Sequence, residues 1–508
     1  MYNYGGDDMS NIKKIIYNAA DKAVSAFAKT VASALPDGYT PYVFHYDSEN
    51  FHAGHESILT SPAEGAAWRL GYADASLLPD DVTNGNYFLG GYLHFPPNRV
   101  TDVLDDQMFR CVCADDGSGR GAAVFGVIDC VGISNTDVRR IRAKAAEAVK
   151  KYNIVSFNIS AVHTHSEPDT LGIWGDIGKA IRSNPLKVVS GEKDFVSGRN
   201  EAYMDALIEK CARTVERAFE QMKEGRLFYS VADGSRFVRS KRPPDVCVTD
   251  IASLIFRPAD GSKPTRAVFM AAHPTQFGAA NTTVSGDFPY YICRELGEQG
   301  ENALFFQGAE LAAATVREPN IPYGLELQDQ IKAYGSAVAT FIRENSGEER
   351  EIPPLLNCRH KEIMVPVTNY IMLAVGKLRL IDHRMLRAGD ARTDIRFVTE
   401  IGICSFGGEF SLTLVPGELS PEIMTGGSLD GGSSYTGKDW NYAPLNTAAP
   451  GYVTCVGLCN DEIGYIIPDN EYGSIFAPKH YEESISAGRQ TASKLMREFA
   501  VLAKDFNK

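Results

Sequence analysis

Residues 154–169, I-V-S-F-N-I-S-A-V-H-T-H-S-E-P-D, constrain the fold of this chain more than any other stretch. Ile154, Val155, Phe157 and Ile159 form a run of β-formers that breaks abruptly into polar residues and Pro168. That pattern predicts a buried strand delivering side chains to the edge of a sheet. Side chains alternate along a strand, so His163 and His165 are expected on one side with Thr164 opposite. Two imidazoles at a strand's carboxyl end suit one metal ion, or one metal and one proton carrier. A hydrogen-bonded pair at a loop is the structural alternative, and the H-x-H spacing by itself leaves both open.

The neighbouring segments place this strand in a mixed α/β fold. A strand over 122–131 and a helix over 137–151 precede it, giving a βαβ unit. The long connection over 167–200 carries Leu171, Ile173, Trp174 and Ile177 beside the histidines and is expected to form a substrate-facing flap. A helix over 201–223 follows, then strands over 227–231, 247–256 and 267–272. The last, A-V-F-M-A-A-H-P-T-Q, repeats the logic of the first: an apolar strand with His273 at its carboxyl end. Ligands in α/β sheets collect at such ends. A helix over 289–299, a strand over 302–307 and a helix over 326–344 complete the alternating part.

From His360 the pattern turns β-rich, with strands over 362–367, 395–403, 410–415 and 452–459 and a final helix over 481–504. The glycine- and serine-rich tract at 425–450 reads as a mobile loop or lid. The expected architecture is layered mixed sheets flanked by helices. No linker divides it, so residues 1–38 are taken as a helical extension and 39–508 as one domain.

The chain has 508 residues, enough for a large core, and its 44% hydrophobic and 23% charged content is ordinary for a globular protein. A net charge of −13 argues against nucleic acid or an anionic membrane as main partner. No apolar run is long enough to span a bilayer. The ten cysteines lie mostly inside strand-like runs, as do Cys111, Cys113 and Cys404, and read as buried free thiols of a reducing compartment. Cys455 and Cys459 lack a second Cys or His pair and read as core. His45, His52 and His55 stand among acids without regular spacing and read as a solvated loop, with a metal site as the alternative. The amino terminus is no secretory signal. Ile12, Ile15, Ala19, Phe27 and Val31 recur at helical spacing before Pro36, predicting a helix packed on the domain, with membrane-surface docking as the alternative.

Four segments occur in a telling order: A-V-H-T-H-S-E-P, A-A-H-P-T-Q, L-V-P-G-E-L and G-L-C-N-D-E-I-G-Y-I-I-P. Over roughly residues 80–490 the chain resembles the catalytic domain of the neutral/alkaline non-lysosomal ceramidases, with motifs similar to T-H-T-H-S-G-P-G, S-H-P and V-P-G-E. The resemblance implies a zinc amidase cleaving the N-acyl bond of ceramide, with Zn²⁺ held by His163, His273, Glu418 and Tyr465. It places His165 beside the metal as proton carrier or supporting partner, and Arg239 and Tyr481 as donors to the substrate oxyanion, with Arg242 competing for the arginine's role. Two imidazoles, a carboxylate and a phenolate are donors that Zn²⁺ accepts with room for a water. Each role has a plain structural competitor: a turn cap for Glu418, core packing for Tyr465 and His273, and solvated surface for Arg239.

The chain also departs from that pattern. The family's serine would fall at Ala314, in G-A-E-L-A-A-A-T, where no Asp-x-Ser occurs. The H-T-H is followed by S-E-P-D, whose carboxylates are expected at the mouth of the site, disfavouring an anionic substrate. No carboxyl-terminal immunoglobulin-like domain or signal peptide is expected, which points to a divergent, cytoplasmic branch. Three functions follow: a zinc-dependent hydrolase of ceramide or another N-acyl lipid, a catalytically impaired metal-binding protein, or a metallohydrolase of a small polar amide or ester. Whether Leu171, Ile173 and Trp174 line the pocket or pack in the core separates the first from the third.

Overall fold

The computed structural model describes residues 11–35, 48–175, 177–192, 195–316, 324–345, 347–381, 383, 385–427 and 430–507. His45 and the expected helix end at 36–38 lie outside them.

Apolar strands pair into two large sheets packed face to face, with helices on their outer faces and three two-stranded ladders beside them. Eight strands of the larger sheet run spatially from Asn302–Gln307 through Thr265–Met270, Asp250–Pro258, Lys223–Asp233, Trp68–Ser76, Met108–Asp115 and Ala122–Ile128 to Ile154–Ala161, and a ninth, Arg350–Ile352, pairs with Lys223–Asp233 off that path. The sheet's two outer pairs are parallel and its middle is antiparallel. Parallel pairs require crossover helices. Asn135–Lys144 with Ala146–Lys151 serves one pair and Asp287–Glu298 the other. The single helix expected over 137–151 is broken at Ala145, and the strand before it ends at Ile128.

Alternation explains the thiols. Along Met108–Asp115, Cys111 and Cys113 enter the core beneath the Glu201–Glu220 helix, while Val112 enters the core between the sheets. All ten cysteines are unpaired. The second sheet, built on Leu356–Pro366, Ile395–Phe406, Phe410–Leu414 and Tyr452–Val456, meets the first through Phe406 against Trp68 and Phe125, and Phe410 against Tyr229 and Phe269. A buried ion pair also joins the layers: Arg142 donates to Glu400 (2.9 Å) and to the Phe157 carbonyl.

Three expectations are corrected here. The 167–200 connection contains a helix, Ile177–Ser190, and its start is tied by Asp169, whose carboxylate accepts from the amides of Leu171, Gly172, Trp174 and Gly175. The amino-terminal helix Asn11–Ala34 packs through Ala28 and Ala32, while Ile15 and Phe27 face solvent, 67% and 72% exposed. The packed stripe is thus rotated from the predicted one, because small residues let the helix approach Tyr370–Lys377 closely. His52 and His55 act as braces, to the Ile154 carbonyl and from the Cys358 amide. Among the described residues no helix is long and apolar enough to cross a membrane.

Candidate metal centre

The two ends of the nine-stranded sheet curl toward one another, and Gln307 closes the gap. Its buried amide donates to the Val162 carbonyl (3.2 Å) and the Ala272 carbonyl (2.8 Å) and accepts from the Ala272 amide (3.0 Å). Val162 and Ala272 immediately precede His163 and His273, so this one side chain sets the two histidines side by side, ring centroids 4.9 Å apart.

Strand alternation does not explain the H-T-H geometry, because the strand ends at Ala161 and His163 adopts a left-handed φ of 69°. Such backbone persists only where its surroundings hold it. The His163 amide is tied to the Cys130 carbonyl, and Thr164 donates to the Ser285 carbonyl. His165 then folds back, its Nε2 3.3 Å from His163 Nε2 with the rings at 88°. Gly91 makes room: a Cβ there would lie 2.4 Å from the His165 ring, and its φ is +108°.

His163 and His273 share one arrangement. Each uses Nδ1 to donate to a backbone carbonyl, Val131 at 2.6 Å and Glu310 at 3.0 Å. Each directs Nε2 at Glu418 Oε2, at 3.2 Å and 2.9 Å. With Nδ1 carrying the hydrogen, both Nε2 lone pairs face a carboxylate oxygen, which is repulsive unless a cation stands between them. Imidazoles oriented through Nδ1 in this way are the usual metal-ligand arrangement. The donors therefore fit a divalent ion such as Zn²⁺. Without one, a proton serves: burial lowers the His163 pKa, but Glu418 outweighs it and raises it, while Glu418 is held well below the usual carboxylate range.

Glu418 is the register partner of Tyr465 in a two-residue parallel ladder. Burial, then Glu418, pushes the Tyr465 phenol well above its ordinary value. Tyr481 stands edge-on to Tyr465 and is 58% exposed. Burial and then the neighbouring His163 and His273 push His165 well below its ordinary value, so it is a neutral imidazole.

Arg239 is not in the cluster. It is exposed, in register with Ala314, which in turn bridges His273, so it lies two strand spacings from the histidine. Arg242 is consumed elsewhere, buried between Glu482 (2.8 Å) and Glu483 (2.7 Å). Lys241, which sequence reasoning passed over, is a cationic neighbour of both His165 and His273. Gln307 and Glu310 were also missed. Gln307 gave no signal beyond a polar residue closing an apolar strand, and Glu310 sat in the segment noted only because the resemblance leads one to expect a serine there.

Glu167 and Asp169 do not guard the mouth. Both are buried, and Asp169 is spent on its loop amides. The described part of the 425–450 tract is pinned away from the histidines, with Tyr435 against His480 and its amide on Glu471. The site opens instead into a cavity of about 60 Å³ whose wall includes Leu171, Ile173, Trp174, Met372, Ile381 and Phe397.

No family model matches the chain, and no curated protein sequence matches it. Solved structures do. The neutral ceramidase from Pseudomonas aeruginosa superposes with a TM-score of 0.63 at 16% identity, over 86% of this chain and 75% of that one. A ceramidase complexed with C2 gives 0.60 at 16% identity over the same shares. The chain thus has the neutral ceramidase fold.

Proposed function

We propose that this chain is a metal-dependent hydrolase of a linear amide, acting on ceramide or another N-acyl lipid. The observation that carries this reading is the convergence of His163, His273 and Glu418 beside an apolar cavity. The solved structures of like fold are ceramidases, which supports the amide class.

In this reading His163, His273, Glu418 and Tyr465 hold Zn²⁺. A zinc ion bound there would supply Lewis acidity and would make a water acidic enough to ionise near neutral pH. The protein does the rest. Leu171, Ile173 and Trp174 seat the acyl chain and exclude solvent, which strengthens every polar interaction inside. The Tyr481 hydroxyl, with Lys241 as the cation nearest the histidines, donates to the substrate carbonyl oxygen as negative charge develops there. His165, a neutral imidazole, accepts a proton and returns it to the departing amine. Burial of Glu167 and Asp169 removes the barrier that surface carboxylates would set against an anionic group. The unpaired cysteines support a reducing, cytoplasmic setting.

Ala314 favours a second reading, a metal-binding protein that has lost catalysis. The apolar wall speaks against the third, a small polar substrate. The test is to load the purified chain with Zn²⁺ and screen N-acyl amides of increasing acyl length, with chelator and His163→Ala as controls. Turnover that both controls abolish is expected. Turnover that survives His163→Ala would remove the metal mechanism, and stoichiometric zinc without turnover would favour the binder.

A further inference from the structure

Beside the proposed ligands lies a carboxylate that nothing else in the fold uses. Glu310 is fully buried, and among the described residues neither of its side-chain oxygens has a hydrogen-bond partner. Burying an ionisable group with no partner is costly, and native folds rarely tolerate it without an ion or a proton to compensate. One of its oxygens lies within 4.8 Å of both a His163 nitrogen and a Glu418 oxygen.

The backbone around Glu310 is built to hold that position. Its carbonyl orients His273 and also accepts from the Ala313 amide at 2.7 Å. Leu311 is bonded to the Leu419 carbonyl, next to Glu418, and Ala312 takes a left-handed φ of 62° to close the turn. Across from the carboxylate stands Gly457, where a Cβ would approach Glu310 Oε2 to 3.3 Å. The side chain is therefore aimed at the ion position and given space there.

Resting on the metal reading above, we propose that Glu310 is a further ligand of the same ion, so that two imidazoles and two carboxylates bind it together with Tyr465. Two carboxylates balance a divalent charge without ionising the Tyr465 phenol. Such a nitrogen- and oxygen-rich set suits Zn²⁺, Mn²⁺ or Fe²⁺ rather than a soft ion. It also gives a use to the 308–314 segment, which has lost the family's serine.

The experiment measures Zn²⁺ affinity by chelator competition, the visible spectrum of the Co²⁺-substituted protein and urea unfolding of the metal-free protein. Wild type is compared with Glu310→Gln, Glu310→Asp, Glu462→Gln and His163→Ala. Glu310→Gln is expected to weaken Zn²⁺ at least about tenfold and to alter the Co²⁺ bands, since even supporting groups change metal affinity by that much. Its metal-free form should be as stable as wild type or more so, because one of two facing carboxylates is gone. Glu310→Asp, which keeps the charge but withdraws the oxygens, should also weaken binding. Glu462→Gln, another buried carboxylate but one with an oxygen on the Gly464 amide and outside the convergence of His163, Glu310 and Glu418, should leave the Co²⁺ bands as in wild type. Wild-type affinity and an unaltered Co²⁺ spectrum in Glu310→Gln would overturn the assignment and leave Glu310 a buried neutral acid. Failure of the wild type to take up Zn²⁺, or equal uptake by His163→Ala, would instead overturn the metal reading itself.

Discussion

Ala314 is the parallel bridge partner of His273 and the antiparallel register partner of Arg239. The position at which the sequence resemblance leads one to expect a serine is thus immediately beside a candidate metal ligand, filled by a methyl group and nearly closed to solvent. A methyl group can neither attack nor donate. The proposed amide cleavage therefore has to use water and the imidazoles and hydroxyls around it.

Ala314→Ser is expected to change kcat/KM toward an N-acyl amide by less than about tenfold, roughly 1.4 kcal/mol in barrier height. Steady-state kinetics of the two zinc-loaded proteins measure it. Turnover that appears only in the serine variant would show that the natural chain has lost catalysis and support the metal-binding reading.

The cavity wall makes a second prediction. Trp174 is half-buried and shares the cavity with Leu171 and Ile173. Removing a large apolar side chain from contact with an acyl chain costs about 1.5–3 kcal/mol. Trp174→Ala should therefore lower kcat/KM for a long-chain substrate by about tenfold to a hundredfold while sparing its acetyl analogue. Equal losses on both substrates would mean that the indole supports the fold rather than the acyl chain.

Apolar strands were legible where burial on both faces leaves long runs of β-formers, and the strand over 302–307 was read to its last residue, whereas Trp68–Ser76, in the middle of the larger sheet but only irregularly buried, was not. The histidines at strand ends were legible for the same reason. Less visible was everything decided by tertiary neighbours. Ala145 carries no sequence mark as a helix break, and the packed stripe of the first helix is made of alanines that hydrophobicity ranks below Ile15 and Phe27. The acids Glu167 and Asp169 look like surface charge, yet one organises a loop and both are buried. Gln307, Glu310 and Lys241 acquire their roles only when the sheet curls and brings distant segments together.

Gly91 supplies a prediction about His165. A methyl group there would overlap the imidazole and impose an L side chain on a positive φ. Gly91→Ala should push His165 out of line with His163 while leaving His163, His273 and Glu418 in place. Zinc content is expected to stay stoichiometric and kcat to fall by about 10²-fold, the usual scale of proton-transfer assistance. Zinc loss in parallel with activity would assign His165 to the metal instead of to proton transfer.

Glu400 offers a test independent of the metal. Burial alone would raise its pKa, but Arg142 and Arg139 outweigh this and hold the carboxyl down to about 2. A carboxylate depressed in the fold contributes stability that is complete above its unfolded pKa and is lost as pH falls through the folded one. The window is therefore about pH 4.5 down to 2, and the shift amounts to roughly 3 kcal/mol. Glu400→Gln leaves Arg142 buried without its counter-charge and should destabilise the fold by about 3–5 kcal/mol at pH 6. Urea unfolding at successively lower pH should show that difference shrinking across the window, because the wild type progressively protonates the group the variant lacks. A penalty that stays constant down to pH 2 would mean that Glu400 joins the two sheets by shape and hydrogen bonding alone, its charge contributing nothing to their cohesion.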